Sequence, residues 1–180
     1  IINRHLYREK MKNISFRNDV LPLKDVLYRL ALRITLSHEE AEDIVQDTLI
    51  KVWNRRDEWQ MLESIEAYSM TICRNLALDA IKKKDNNNES LEQEMGETSD
   101  QTSDPHELMI RKDRVEMVKQ LVNRLPEKQR SCLQLRDFEG KTYKEIAEIL
   151  AITEEQVKVN IFRARRSIKQ QFDKADSYGL

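Results

Sequence analysis

A chain of 180 residues, 35% charged and 39% hydrophobic, has room for one ordinary domain or two small ones and the composition of a globular protein. Only three Gly and three Pro occur among many Leu, Ile, Glu, Lys and Arg, which favours helices over sheets and predicts an all-α fold. The formal net charge of -1 gives no whole-chain sign of nucleic-acid binding, so any basic surface must come from uneven distribution.

The chain opens Ile1-Ile2-Asn3, and Met11 is the first possible initiator. Residues 1–10 are therefore read as tag-derived or as the product of an upstream start, within an N-terminal extension over 1–16. A first helical domain is expected over residues 17–84. Its opening helix places Leu23, Val26, Leu27, Leu30, Ala31 and Ile34 on one face at the spacing of a buried stripe. Ser37 followed by Glu40 reads as a capping box for a second helix ending near Asn54, with Ala41, Val45, Leu49 and Val52 inward. A third helix over about residues 66–84 buries Met70, Cys73, Ala77, Ala80 and Ile81 by the same periodicity.

Residues 85–105, DNNNESLEQEMGETSDQTSDP, carry seven acidic and no basic side chains. Such a segment buries too little apolar surface to offset its ordering entropy, and an acidic flexible linker is expected there, able to span roughly 70 Å when extended. A second helical domain follows over 106–175, with a tail at 176–180. Its first helix uses Leu108, Val115, Val118, Leu121, Val122 and Leu125 as its apolar stripe. Pro126 suits the first turn of the next helix, over 127–138, and Glu139-Gly140 supplies its stop.

Two reciprocal caps come next, Thr142 with Glu145 and Thr153 with Gln156, separated by Leu150-Ala151-Ile152. Helix, tight turn and helix in that order make a helix-turn-helix, whose second helix enters the major groove of DNA in proteins of that kind. Ile146, Ala147 and Leu150 form the inward face of the first helix. Val157, Ile161, Ala164, Ile168 and Phe172 do so in the second. The opposite side carries Lys158, Val159, Phe162, Arg163, Arg166 and Lys169, and residues 158–169 hold five basic residues and no acidic one. These groups suit phosphate neutralisation, with Val159 meeting a thymine methyl and Asn160 or Arg163 reaching base edges. Lys141, Thr142 and Tyr143 would hold backbone phosphates at the first helix's N-terminus. Phe162 has a second use, packing on a neighbouring helix, and the basic face as a whole has a bland alternative as solvated surface.

The segment LPEKQRSCLQLRDFEGKTYKEIAEILAITEEQVKVNIFRARRSIKQQF resembles the minus-35-reading domain of the extracytoplasmic-function group of sigma factors in the sigma-70 family. AEDIVQDTLIKVW and AYSMTICRNLALDAIKKK resemble the first conserved domain of the same family. The resemblance covers about residues 20–173, both domains in family order. It implies a sigma region 2 type domain of three or four helices and a four-helix sigma region 4 type domain. It also implies an RNA polymerase sigma factor that directs promoter-specific initiation and is not an enzyme, with no cofactor and no metal.

By that resemblance, Asp43, Gln46, Asp47 and Ile50, which share one helix face, dock on the β′ clamp helices of core RNA polymerase, and the second domain meets the β flap. Asp47 stands where the family usually has Glu. The minus-10 element is received as melted non-template strand. Trp59 and Tyr68 would supply stacking surfaces, Ser64, Arg74 and Asn75 polar contacts, and Lys82, Lys83 and Lys84 phosphate contacts. Both aromatics have the alternative of closing the small core, and Asp79 reads as a structural partner for an Arg or a helix end. The linker would thread the polymerase's nucleic-acid channels or serve as a plain spacer. An anti-sigma factor is a further implied partner. Ala151, at a turn position where the family often has Gly, and Glu155-Gln156, in place of its frequent Gly-Thr, depart from the pattern.

An autonomous helix-turn-helix regulator is the alternative from another class, and it would bind its operator without polymerase. Against an enzyme stand the isolated His5, His38 and His106 and the absence of a nucleophile elbow or a phosphate loop. Cys73 and Cys132 lie inside apolar helical patterns and outside any C-x-x-C, which argues against a zinc site and for a reducing compartment. No apolar run nears the roughly 18 residues that span a bilayer, and no signal-peptide pattern is present, so a cytoplasmic protein without membrane insertion is expected.

Overall fold

A computed structural model describes residues 14–87 and 105–177, all helices and connecting turns among those residues. The expected linker beyond Asn87, residues 1–13 and the last three residues lie outside the described residues, as does the side chain of Leu108. The chain divides into two compact units that part between Lys82 and Lys83.

The first unit begins earlier than its periodicity suggests. A π-helical turn, Phe16–Val20, and a 3-10 turn, Leu21–Leu23, lead into α1, Lys24–Thr35. Ile14 and Phe16, assigned above to an extension, pack on a core cluster built on Val20, Val52 and Trp59. α1 buries Leu27, Leu30, Ala31 and Ile34. It stops where Leu36 turns left-handed at φ 60° and donates its N–H to the Leu32 carbonyl at 2.8 Å. That αL stop is more often a Gly, because a Cβ there crowds the following carbonyl.

Ser37 then caps α2, His38–Asn54, its hydroxyl accepting the Glu40 N–H at 3.4 Å. α2 packs against α1 through Ala41, Ile44, Val45, Thr48 and Val52. Ile44 and Thr48 therefore sit inside where Leu49 was expected, and Leu49 is half-buried. The buried Thr48 hydroxyl is satisfied by the Ile44 carbonyl at 2.7 Å. A 3-10 turn, Arg56–Met61, leads to α3, Ile65–Asn87, which continues three residues past the predicted end. Ser69, Met70, Cys73 and Ala77 are buried in it, while Ala80 and Ile81, expected inside, are half-buried. The Cys73 thiol reaches the Leu27 carbonyl of α1 at 3.4 Å, and burial pushes its pKa up to about 12.

In the second unit, α4 runs Pro105–Asn123 and α5 runs Glu127–Leu133, with Pro126 at its N-cap. Val115 was expected inside α4's stripe but is 56% exposed, whereas Val118 packs against the cluster of this unit. Asn123 and Leu125 carbonyls at the end of α4 accept from the buried Arg130 guanidinium at 2.6 and 3.2 Å, an internal cap that burial makes obligatory. α5 does not continue as one α-helix to Phe138. It widens into a π-helical turn, Gln134–Phe138, which ends at Gly140 with φ +66°. α6, Tyr143–Leu150, and α7, Glu154–Ser177, complete the unit. Val122, Leu125, Leu133 and Ala164 form the cluster between α4, α5 and α7. Val157, Ile161 and Ala164 are each at most 3% exposed.

Candidate nucleic-acid and partner interfaces

The α6–α7 corner is built by local chemistry. Thr142 accepts the Glu145 N–H at 3.2 Å while the Glu145 carboxylate accepts the Thr142 backbone N–H at 2.8 Å and hydroxyl at 2.7 Å. Those bonds from Thr142 hold the Glu145 carboxyl below its ordinary pKa, as hydrogen bonds to a charged form do. α6 closes at Ala151, left-handed at φ 52°, ψ 48°, and the Ile152 N–H returns to the Ala147 carbonyl at 3.0 Å. Thr153 and Gln156 then exchange the two bonds of a second reciprocal cap, at 3.0 and 3.2 Å.

With the core side of α7 turned inward, Val159 (43% exposed) and Phe162 (64%) face solvent. Lys158, Arg163, Arg166 and Lys169 are exposed beside them. Among the described residues Arg163, Arg166 and Lys169 have no carboxylate partner. Phe162's large exposure decides against the packing role left open above. An open depression runs between α6 and α7, lined by Tyr143, Lys158, Phe162, Arg165, Arg166 and Lys169.

Tyr143 stands between two cations. The Arg136 guanidinium lies 4.7 Å from its ring centroid and the Lys158 ammonium 5.7 Å. Such contacts hold each cation to one side of the ring. Arg136 also donates to the Lys141 carbonyl at 2.8 Å. Two expectations change. The Asn160 amide donates one N–H to the Gln156 carbonyl at 2.8 Å, within its own helix, which leaves its second N–H and Oδ1 for other partners. The Thr142 hydroxyl is engaged by Glu145, and that carboxylate already occupies the α6 N-terminus where a phosphate was expected. Arg136 was missed by sequence reading. Gly140 was its signal, since a helix stop four residues on turns the end of the π-helical segment back beside α6.

In the first unit Asp43, Gln46, Asp47 and Ile50 are all exposed on α2, Ile50 by 57%. Asp43 and Asp47 form no ion pair among the described residues. Trp53, one step farther along the same helix and 45% exposed, extends this face. Phe16 meets it edge-on at 5.2 Å, and the Arg56 guanidinium lies 4.9 Å from its ring. The i+3 step from Ile50 was the available signal.

The structure corrects Trp59. It is 5% exposed, and its Nε1–H donates to the Val52 carbonyl at 3.0 Å, so its ring closes the core and offers no stacking surface. Tyr68 is half-buried against the same cluster. Ser64 caps α3, accepting the Ala67 N–H at 3.1 Å. Arg74 donates to Asn75 Oδ1 at 3.3 Å. Lys82 and Lys83 are exposed, Lys84 is half-buried, and Asp79 sits 4.0 Å from Lys82 rather than beside an Arg.

Two family models match the chain, "Sigma-70 region 2" over residues 20–87 and "Sigma-70, region 4" over residues 116–168. The ECF RNA polymerase sigma factor SigW of Bacillus subtilis is 28% identical over 166 residues, covering 87% of this chain and 88% of that protein. The RNA polymerase sigma factor YlaC of the same organism is 29% identical over 144 residues, 76% of this chain and 80% of that one. Among solved structures, the sigma factor RpoE of Bartonella quintana, crystallised with the anti-sigma factor NepR, superposes with a TM-score of 0.72 at 26% identity. That match covers 89% of this chain and 98% of the RpoE chain. No helix among the described residues is long and apolar enough to cross a membrane.

Proposed function

This chain belongs to the sigma-70 family, and from that premise we propose that it is an extracytoplasmic-function sigma factor that binds core RNA polymerase and directs initiation at its own promoters. Region 2 and region 4 in one chain join a polymerase-docking unit to a DNA-reading unit. The observation that carries the reading is the cationic face of α7, where Arg163, Arg166 and Lys169 lack carboxylate partners among the described residues. Such groups release counterions when they meet phosphates, which supplies sequence-independent affinity.

On this reading α7 enters the major groove at minus-35. Val159, Phe162, Arg163 and Arg166 meet bases and backbone, and Lys158, Tyr143, Lys141 and Arg136 meet flanking phosphates. Asn160 contributes through Oδ1 and its remaining amide N–H. Thr142 acts by shaping the corner. At minus-10 the melted strand meets Ser64, Tyr68, Arg74, Asn75, Lys82, Lys83 and Lys84, while Trp59 supports the loop from below. The region 2 unit is assigned to residues 17–84, the region 4 unit to 106–175, and 85–105 to the acidic linker. α2 offers Asp43, Gln46, Asp47 and Ile50 to the β′ clamp helices, acidic and amide groups meeting a basic helix around an apolar contact, and the region 4 unit meets the β flap.

The chain supplies binding energy that opens DNA, in the cytoplasm, and polymerase does the chemistry. An anti-sigma factor, of the kind bound to the Bartonella relative, would act by covering these same surfaces. The test is a binding titration with core polymerase. Asp43→Ala/Gln46→Ala/Asp47→Ala removes exposed groups only, so thermal stability should hold while core affinity falls by about tenfold or more. Unchanged affinity with run-off transcription intact would remove the docking face from the account.

A further inference from the structure

α7's basic row contains one cation whose guanidinium fork is already paired with a carboxylate. Arg165 lies on the wall of the α6–α7 depression, yet its guanidinium is held by Asp137 through both carboxylate oxygens, Nη2 to Oδ1 and Nε to Oδ2 at 3.1 Å. The two residues are 28 apart in the chain, so this is a contact of tertiary packing. It is also geometrically selective, because a planar fork matches a carboxylate and a Lys ammonium does not.

The π-helical turn Gln134–Phe138 puts the carboxylate there. Gln134 and Leu135 are buried, and the turn closes with Glu139 N–H on the Gln134 carbonyl at 3.1 Å and Lys141 N–H on the Leu135 carbonyl at 2.9 Å. An inserted π turn shifts the register of whatever follows it and is found most often at functional positions. Here Asp137 meets α7, while its neighbour Arg136 meets Tyr143. The pair is not buried, with Arg165's side chain 56% exposed and Asp137's 31%, so solvent and phosphate can both reach it. The hydrogen bonds that Arg165 donates to Asp137 raise its pKa further above its already high value.

Resting on the DNA-reading role of α7, we propose that Asp137 is a specificity-determining residue: it occupies the Arg165 fork and so withholds one cation from indiscriminate pairing with phosphates. Non-specific affinity grows with each neutralised phosphate, whereas discrimination comes from base-edge contacts. A carboxylate that removes one cation from the count lowers the first and leaves the second. Asp137 is thus a positioning group for Arg165 and need not touch DNA.

The experiment is a salt series of duplex binding by the full chain assembled with core polymerase, using random-sequence DNA and, in parallel, a promoter selected by run-off transcription. Asp137→Asn should bind random DNA more tightly. Its log affinity against log salt should be steeper by about 0.9, an added loss of about threefold between 50 and 200 mM salt. The promoter-to-random affinity ratio should fall. Asp137→Glu should restore the original slope. Asp137→Asn/Arg165→Gln should lose the steepening, which assigns it to the released guanidinium.

An Asn variant with unchanged slope overturns the inference and leaves the DNA-reading role standing. A double variant that stays steeper also overturns it, since the effect would then be simple removal of a negative charge. A parent holoenzyme that binds the promoter no more tightly than core polymerase alone would sink the premise itself.

Discussion

Trp59→Phe separates a core role from a DNA-stacking role at the one aromatic whose assignment the structure reversed. In the native chain the indole is 5% exposed and its N–H donates to the Val52 carbonyl at 3.0 Å, near the C-terminal end of α2, where that carbonyl also accepts the Arg55 N–H at 3.2 Å. Phe removes one of the two donors, at about 1 kcal/mol for the lost hydrogen bond, and the smaller ring loses part of the packing, at about 1–2 kcal/mol more. For a unit of this size each kcal/mol moves the midpoint by roughly 4–8 °C, so the first unit should melt roughly 8–24 °C lower. The assay is intrinsic fluorescence on heating. Trp53 and Trp59 are the only tryptophans, and both lie in the first unit, so the signal follows that unit alone. Below its new midpoint the variant, bound to core polymerase, should still open its promoter. A variant with parental stability that binds promoter but cannot melt it would refute the core assignment and return Trp59 to the DNA.

Two further outcomes follow from backbone and burial. Ala151 is held left-handed at φ 52°, a region that costs an L-residue about 1 kcal/mol and a Gly little. Ala151→Gly should therefore raise the stability of the second unit by up to about 1 kcal/mol, less the greater chain entropy of an unfolded Gly; a lower midpoint by circular dichroism of the second transition would contradict this. Cys73 and Cys132 are free and buried, so neither thiol of the native chain should react quickly with a thiol reagent at pH 8, and both should react once it is denatured. Because the folded Cys73 pKa of about 12 lies above its unfolded value near 9, its contribution is fully present below pH 9. It is lost as pH rises towards 12, and denaturation midpoints should fall over that window.

Helix number and type were readable from the chain because their causes are short-ranged. The reciprocal caps at Thr142 and Thr153 formed as their spacing predicted, and Gly140 turned left-handed where a stop was expected. Each of these acts within about four residues. The misses concern where packing begins and ends. Val115 fits an apolar stripe but is more than half exposed. Ile14 and Phe16 precede any regular period yet pack on the first core. Thr48 is inside because its hydroxyl is satisfied by Ile44, an option that polarity patterns ignore. The two tryptophans differ by six positions, and either could have been the buried one.

At the site the split is similar. The sequence by itself determined that α7 would carry its cations on the face opposite Val157, Ile161 and Ala164, and that Asp43, Gln46, Asp47 and Ile50 would share a side of α2, because a helix's 3.6-residue period converts spacing into direction. Only the tertiary structure decided which of those groups are already spent. Arg165 is taken by Asp137 and Trp59 by the core. Both depend on how elements distant in the chain or joined by irregular turns come together. That is set by the packing of whole cores, and no local pattern encodes it.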